Sequence, residues 1–117
     1  MASSTSDFLI GVNSGLTAFI DGEIDEVRVW SEARTQVQIQ NNMYTTLVGN
    51  ETNLVAYYRF DQGTAGVVNT GITTLPDRSQ NQNDGTLTNF DLGAVDVDVS
   101  NWVSSEAMNS SGVIQSD

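Results

Sequence analysis

The chain has 117 residues and a formal net charge of -11, and it contains neither cysteine nor histidine. This composition excludes a disulfide framework, zinc sites built from Cys or His, and nucleophilic catalysis that depends on a thiol or a histidine base. The only basic residues are four arginines, so phosphate is repelled and nucleic-acid binding is disfavoured, and no apolar run approaches the about 20 residues of a membrane span.

The first predicted strands occupy two apolar runs, residues 8–12 and 16–20, which turn-forming residues separate. The dipeptide Asp21-Gly22 follows and is a strong signal for a β-hairpin. A third strand is therefore expected over residues 23–30.

Side chains of this third predicted strand alternate between two faces, as they do in any β-strand. Val27 and Val29 share one face, and Glu26, Arg28 and Trp30 share the other. Ile24 breaks this alternation, so we expect either a bulge near Asp25 or partial cover of both faces.

Residues 35–47 carry the one helix signal of the sequence. Thr35 and Gln38 have the spacing of a capping box, in which the threonine side chain caps the first turn. Ile39 and Met43 are four residues apart and share an apolar face. A short helix lying across a sheet fits this pattern.

The second half of the chain returns to strand patterns. Gly49 is the predicted helix stop, and the almost continuously apolar residues 53–60 predict a central strand covered on both sides. A long polar loop is expected at 61–84. Further strands are predicted at 85–90 and at 94–99, where alternating valine and aspartate suggest a charged edge strand.

Two parts of the chain resemble the laminin-G-like and concanavalin-A-like jelly-roll family. The sequence FIDGEIDEVRVWSEAR at 19–34 is similar to the strand and short helix that close a typical domain of this family. The sequences LVAYYRFD at 54–61 and DRSQNQNDGTL at 77–87 are similar to the segment that opens one. The resemblance implies an all-β, jelly-roll-like antiparallel sandwich with one short helix.

The two family segments stand in reversed order, and the strands that separate them in a typical domain are missing. Three explanations remain open. The chain is a junction between tandem domains, a shortened and permuted sandwich, or a set of open sheets that another chain completes. For the sandwich, we predict that the stretches around Trp30 and Tyr58 lie side by side in one sheet.

The loop 77–85 alternates oxygen-bearing side chains that suit calcium, which takes 6–8 oxygen ligands. The predicted metal ligands are Asp77, Asn81, Asn83 and Asp84, and calcium is the candidate cofactor. The alternative is a loop of Asx turns, in which these side chains bond their own backbone.

A second acidic cluster precedes Trp30. Asp25 and Glu26 could bind calcium, or they could form ion pairs with Arg28 and Arg59 across the sheet. A glycosidase acid pair is excluded for Asp25 and Glu26, because adjacent strand residues point to opposite faces.

Four aromatic residues are candidates for either core packing or stacking on sugar rings. We expect Trp30 and Tyr58 to belong to the core, and we take Tyr57 and Trp102 as the candidate ligand-binding residues.

The sequence thus predicts a linker or cloning-derived start at residues 1–7, a laminin-G-like module at 8–103 and a polar tail at 104–117.

The predicted function is non-enzymatic: an extracellular or cell-surface module for adhesion or ligand binding, with a glycan or a cell-surface protein as partner. The alternative is a structural subunit of a homo-oligomer or fibre, assembled by self-association or by strand completion from another chain. An ancillary domain beside a glycoside hydrolase would be equally non-enzymatic. Neither nucleic-acid binding nor membrane insertion is expected.

Overall fold

The computed structural model describes residues 6–93 and 101–104, and the chain is strand-rich over these residues. The elements, in chain order, are β1 Val27–Trp30, α1 Gln36–Asn42, β2 Leu54–Tyr58, β3 Thr74–Leu75 and β4 Gly85–Thr86. They form two antiparallel two-stranded sheets, β1-β2 and β3-β4. Within the described ranges, no helix has the length and apolar character needed to cross a membrane.

Strands β1 and β2 pair with each other, and helix α1 lies between them in the chain. Val27 lies opposite Tyr58 and Arg28 opposite Tyr57, and the register shifts by a bulge between Val29 and Trp30. The prediction that the stretches around Trp30 and Tyr58 are neighbours in one sheet is confirmed.

The core lies on one face of this sheet. Ala56, Tyr58 and Leu75 form a buried cluster, and Val27 and Val29 pack against it. The valines of β1 thus face the core, and all four residues of β1 are half-buried, so both of its faces are partly covered. Trp30 is half-buried on the opposite face, whereas Tyr58 is buried as predicted.

Helix α1 begins as predicted but ends earlier. The Thr35 hydroxyl accepts from the Gln38 amide at 3.2 Å, and the Gln38 side chain accepts from the Thr35 amide at 2.8 Å, which completes the capping box. The helix ends at Asn42, whose side-chain amide donates to the Gln38 carbonyl and so competes with the backbone. The predicted extension to residue 47 is wrong.

Gly49 has a different role from the helix stop that the sequence predicts. Its φ is +101°, and a Cβ atom there would lie 2.1 Å from the carbonyl oxygen of Arg78. Only glycine allows this approach, and the Gly49 carbonyl accepts from the Gln80 amide at 3.2 Å. Gly49 thus lets the loop after β3 pack against the segment before β2.

Several other predicted strands are shorter than expected. The runs 8–12 and 16–20 meet in one isolated bridge, between Val12 and Phe19. The strand predicted at 85–90 is reduced to β4, and the long loop 61–84 contains β3. The strand predicted at 94–99 lies outside the described residues, as does almost all of the predicted tail.

Candidate functional site

The Asp77 carboxylate is the centre of the loop that follows β3. Its Oδ1 accepts from the backbone amides of Tyr57 and Ser79, both at 2.8 Å. Its Oδ2 accepts from the Ser79 hydroxyl and the Asn83 amide, also at 2.8 Å. Four donors therefore converge on one buried carboxylate and hold the loop to strand β2.

These contacts also shift the ionisation of Asp77. Burial alone would raise the pKa of the carboxyl group, but the hydrogen bonds from Ser79, Tyr57 and Asn83 outweigh burial and lower the pKa. The folded protein thus favours the charged form of Asp77.

The same loop covers the edge of β2 that faces away from β1. The Arg78 amide donates to the Tyr57 carbonyl at 2.7 Å. The Val55 carbonyl accepts from the side chains of Ser79, Asn81 and Asn83 at 3.0–3.2 Å. Polar side chains here take the place of a neighbouring strand, so this edge is closed.

As placed here, the predicted calcium ligands are engaged within the chain, and their metal-binding role stays a prediction. Both Asp77 oxygens accept from N–H or O–H groups, and Asp84 Oδ1 accepts from the Asp77 amide at 2.8 Å. Asn81 and Asn83 turn their amide nitrogens, rather than their oxygens, toward the Val55 carbonyl. Over residues 6–93 and 101–104, no group of three or more acidic side chains is placed to hold a metal ion.

Because both Asp77 oxygens and Asp84 Oδ1 already accept hydrogen bonds from this chain, we expect calcium to leave its stability unchanged. A ligand that binds only the folded state raises the melting temperature. Thermal unfolding of the full chain should give the same Tm in millimolar calcium and in EDTA, with magnesium as the control ion. A Tm that rises with calcium and falls again with EDTA would show that the loop binds the ion after all.

A second polar cluster ties β1 to β2. Glu26 Oε2 accepts from Arg28 Nη2 at 2.9 Å and from the Tyr57 hydroxyl at 2.5 Å. Glu26 Oε1 lies 3.4 Å from Arg59 Nε, an ion-pair distance without hydrogen-bond geometry. The predicted ion pairs of Glu26 with Arg28 and Arg59 are confirmed.

This second cluster extends to the end of helix α1, which sequence reasoning missed. Arg28 Nη1 donates to the Asn42 carbonyl at 2.7 Å, and Arg28 Nη2 donates to the Thr45 carbonyl. The Tyr57 hydroxyl accepts from the Leu47 amide at 3.1 Å. Arg28 thus adds a donor to the Asn42 carbonyl, which also accepts from the Thr45 amide at 3.2 Å, and supplies a donor to the Thr45 carbonyl beyond the helix. The sequence signal for this cluster was that Glu26 and Arg28 share one face of the predicted strand.

The two predicted ligand-binding aromatics are both buried. Tyr57 has no exposed surface, and burial together with the hydrogen bond to Glu26 raises the pKa of its hydroxyl. Trp102 is 6% exposed and packs on Gly63, with the Phe90 ring centroid 5.8 Å away. As placed here, neither ring offers a face to a sugar, and their ligand-binding role stays a prediction.

A cleft of about 130 Å³ lies between β1 and α1. Trp30 and Arg28 line it from the strand, and Ile39 and Met43 line it from the helix. Arg34 also lines the cleft. Its guanidinium is 4.0 Å from the centroid of the Trp30 ring, which is a cation–π distance.

Comparison with protein-family models, with curated proteins and with solved structures finds no match to this chain. The resemblance to laminin-G-like and concanavalin-A-like domains therefore stays a prediction from the sequence.

Proposed function

We propose that this chain is a non-catalytic interaction module of an extracellular or cell-surface protein, which associates with other protein chains through exposed apolar side chains. In this proposal its strands belong to a laminin-G-like, jelly-roll type of sandwich that is incomplete by itself. Partner chains supply the missing apolar cover.

The observation that carries this proposal is the exposure of residues 8–20, here called the apolar segment. Phe8 is 68% exposed, Leu16 61%, Phe19 64% and Ile20 57%. Single exposed apolar residues are ordinary, but several large ones in one short segment are typical of surfaces that bind protein. Protein association is favoured because it removes this apolar surface from water.

The polar clusters support an interaction role over a chemical one. The four hydrogen bonds of Asp77 and the contacts of Arg28 all go to groups of this same chain. These side chains are thus engaged in holding strands, loop and helix together.

The burial of the predicted stacking residues favours a protein partner over a glycan. Glycan recognition by stacking needs exposed ring faces, and the predicted stacking residues Tyr57 and Trp102 are buried. The assembly version, a structural subunit of a homo-oligomer or fibre, is therefore our leading form of the proposal.

We expect the full chain to form oligomers that dissociate on dilution, and Phe8→Ser with Phe19→Ser to remove them. Because every copy carries a net charge of -11, association should strengthen with salt. The range of charge repulsion falls to about 10 Å at about 0.1 M salt. Light scattering across a dilution series at low and moderate salt measures both effects.

The matched control is Val48→Ser, which removes a side chain that is 82% exposed but lies outside the apolar segment. This variant should associate like the unchanged protein. If the unchanged chain keeps the mass of a single copy at every concentration and salt, the assembly version is wrong. If Val48→Ser lowers association as much as the double variant, the apolar segment is not the surface.

A further inference from the structure

The outer edge of β1 differs from the outer edge of β2. The Tyr57 backbone points away from β1, because its amide donates to Asp77 and its carbonyl accepts from Arg78. In an antiparallel pair such a residue faces a partner whose backbone also points away. Arg28 is that partner, so its amide and carbonyl point to the outer edge of β1.

Strand β1 is open at this edge. No backbone or side-chain group among the described residues forms a hydrogen bond with the Arg28 amide or carbonyl. The outer edge of β2 is closed by the loop after β3, as described above. Considering residues 6–93 and 101–104, an added strand can therefore pair in this sheet beside Arg28.

The cleft under helix α1 lies on the side that an added strand would reach. Residues directly opposite each other in a sheet point to the same face, so a partner residue opposite Arg28 would face the helix. There Trp30, Ile39 and Met43 line the cleft of about 130 Å³. An apolar cavity of about 150 Å³ holds a benzene-sized group, so this cleft suits one aliphatic side chain.

The charge before β1 selects among partners. Asp21 and Glu23 precede β1, are exposed, and form no ion pair within the described part of the chain. Glu32 follows β1 but is paired with Arg34 at 3.1 Å, so the unpaired negative charge lies at the start of β1. A second copy brings a further net charge of -11, whereas a strand with a basic end is attracted.

We infer that the outer edge of β1 binds an extended strand of a different protein, one with an aliphatic side chain for the cleft and basic residues at the end beside Asp21 and Glu23. Main-chain hydrogen bonds to Arg28 supply the pairing, as in other cases of β-strand addition. The cleft and the acidic residues before β1 supply the selectivity.

The probe is a short capped peptide with leucine at its centre, valine and threonine around it, and lysine at both ends. Its binding to the full chain is compared with that of two control peptides. One carries glutamate instead of lysine, and the other is N-methylated at the backbone amides that would pair with Arg28. We expect each change to weaken binding about tenfold or more, and the lysine peptide to slow hydrogen exchange of the Arg28 amide.

Helix substitutions test the cleft. Ile39→Glu should weaken binding of the lysine peptide about tenfold, while Val37→Glu should not. Both residues lie on α1 and are more than half exposed, but only Ile39 lines the cleft. Because both side chains are exposed, both variants are expected to fold, and circular dichroism checks this.

Three results would overturn the inference. They are equal binding of the lysine and glutamate peptides, an Arg28 amide that the lysine peptide leaves unprotected, and an Arg28 amide already protected in the dilute free chain. Protection that appears with protein concentration alone would assign the edge to a second copy instead. The apolar segment is not involved in any of these measurements, so the inference and the proposed function can fail separately.

Discussion

Replacing Asp77 with alanine should lower the free energy of unfolding by about 3–5 kcal/mol. The substitution removes the acceptor of four hydrogen bonds and leaves the amides of Tyr57, Ser79 and Asn83 without their partner. Small domains are stable by only about 5–15 kcal/mol. The loss is therefore a large part of the total, and urea unfolding followed by circular dichroism measures it.

Two aspartate variants set the scale for this effect. Asp84→Ala removes one accepted hydrogen bond, from the Asp77 amide, and should cost about 1 kcal/mol. Asp21→Ala removes an exposed carboxylate and should change stability by less than about 0.5 kcal/mol. If Asp77→Ala costs no more than Asp21→Ala, Asp77 does not hold the loop to β2.

The lowered pKa of Asp77 adds a pH dependence with a defined sign. Its pKa in the folded chain lies below its unfolded value of about 4, so its contribution is complete above about pH 4. That contribution is lost as the pH falls through the folded pKa. The stability difference between the unchanged chain and Asp77→Asn should therefore shrink in acid, and a difference that grows there would contradict this assignment.

Replacing Arg28 with alanine should cost about 3 kcal/mol. Arg28 is 13% exposed, and its removal leaves the Glu26 carboxylate, itself 14% exposed, without this ion pair. It also removes the Arg28 donor from the Thr45 carbonyl and one donor from the Asn42 carbonyl, which keeps its bond from the Thr45 amide. Loss of helical circular dichroism should accompany the loss of stability.

The matched control is Arg78→Ala. Arg78 pairs with Asp61 at 3.1 Å, but the two side chains are 47% and 38% exposed, so solvent weakens their attraction. This variant should cost less than about 1 kcal/mol, because its backbone hydrogen bond to Tyr57 is kept. Equal losses from Arg28→Ala and Arg78→Ala would mean that the Glu26 cluster contributes no more than a surface ion pair.

A third variant separates the ion pair from the packing around it. Arg28→Met combined with Glu26→Gln removes both charges and keeps most of the side-chain volume. Removing both partners of a buried pair costs less than removing one, because no charge is left alone. The double variant should therefore be more stable than Arg28→Ala.

Local chemistry determined the parts of the fold that the sequence predicted well. The capping box at Thr35 depends on residues three apart, and the valine face of β1 depends on simple alternation. The sequence also predicted that the stretches around Trp30 and Tyr58 are neighbours in one sheet, and the β1-β2 pairing confirms this neighbourhood.

Element lengths could not be predicted in the same way. Residues 35–47 have a helical pattern, yet α1 ends at Asn42, where the side chain of Asn42 and the guanidinium of Arg28 compete for backbone groups. The apolar run 16–20 has a strand pattern, yet it forms a single bridge. Strands lengthen only when a partner strand lies beside them, and sequence pattern alone does not reveal that partner.

The sequence by itself determined that this chain is acidic, strand-rich and free of cysteine and histidine chemistry, because these properties depend on composition and short spacings. Only the tertiary structure decided what its polar residues do. Asp77 and Asn83 are residue types that suit a calcium loop. In the fold, the Asp77 carboxylate accepts from the Tyr57 amide and the Asn83 side chain donates to the Val55 carbonyl, and both partners are distant in sequence. Which oxygen faces which donor depends on how strand β2 packs against the loop after β3. No local sequence pattern encodes this packing.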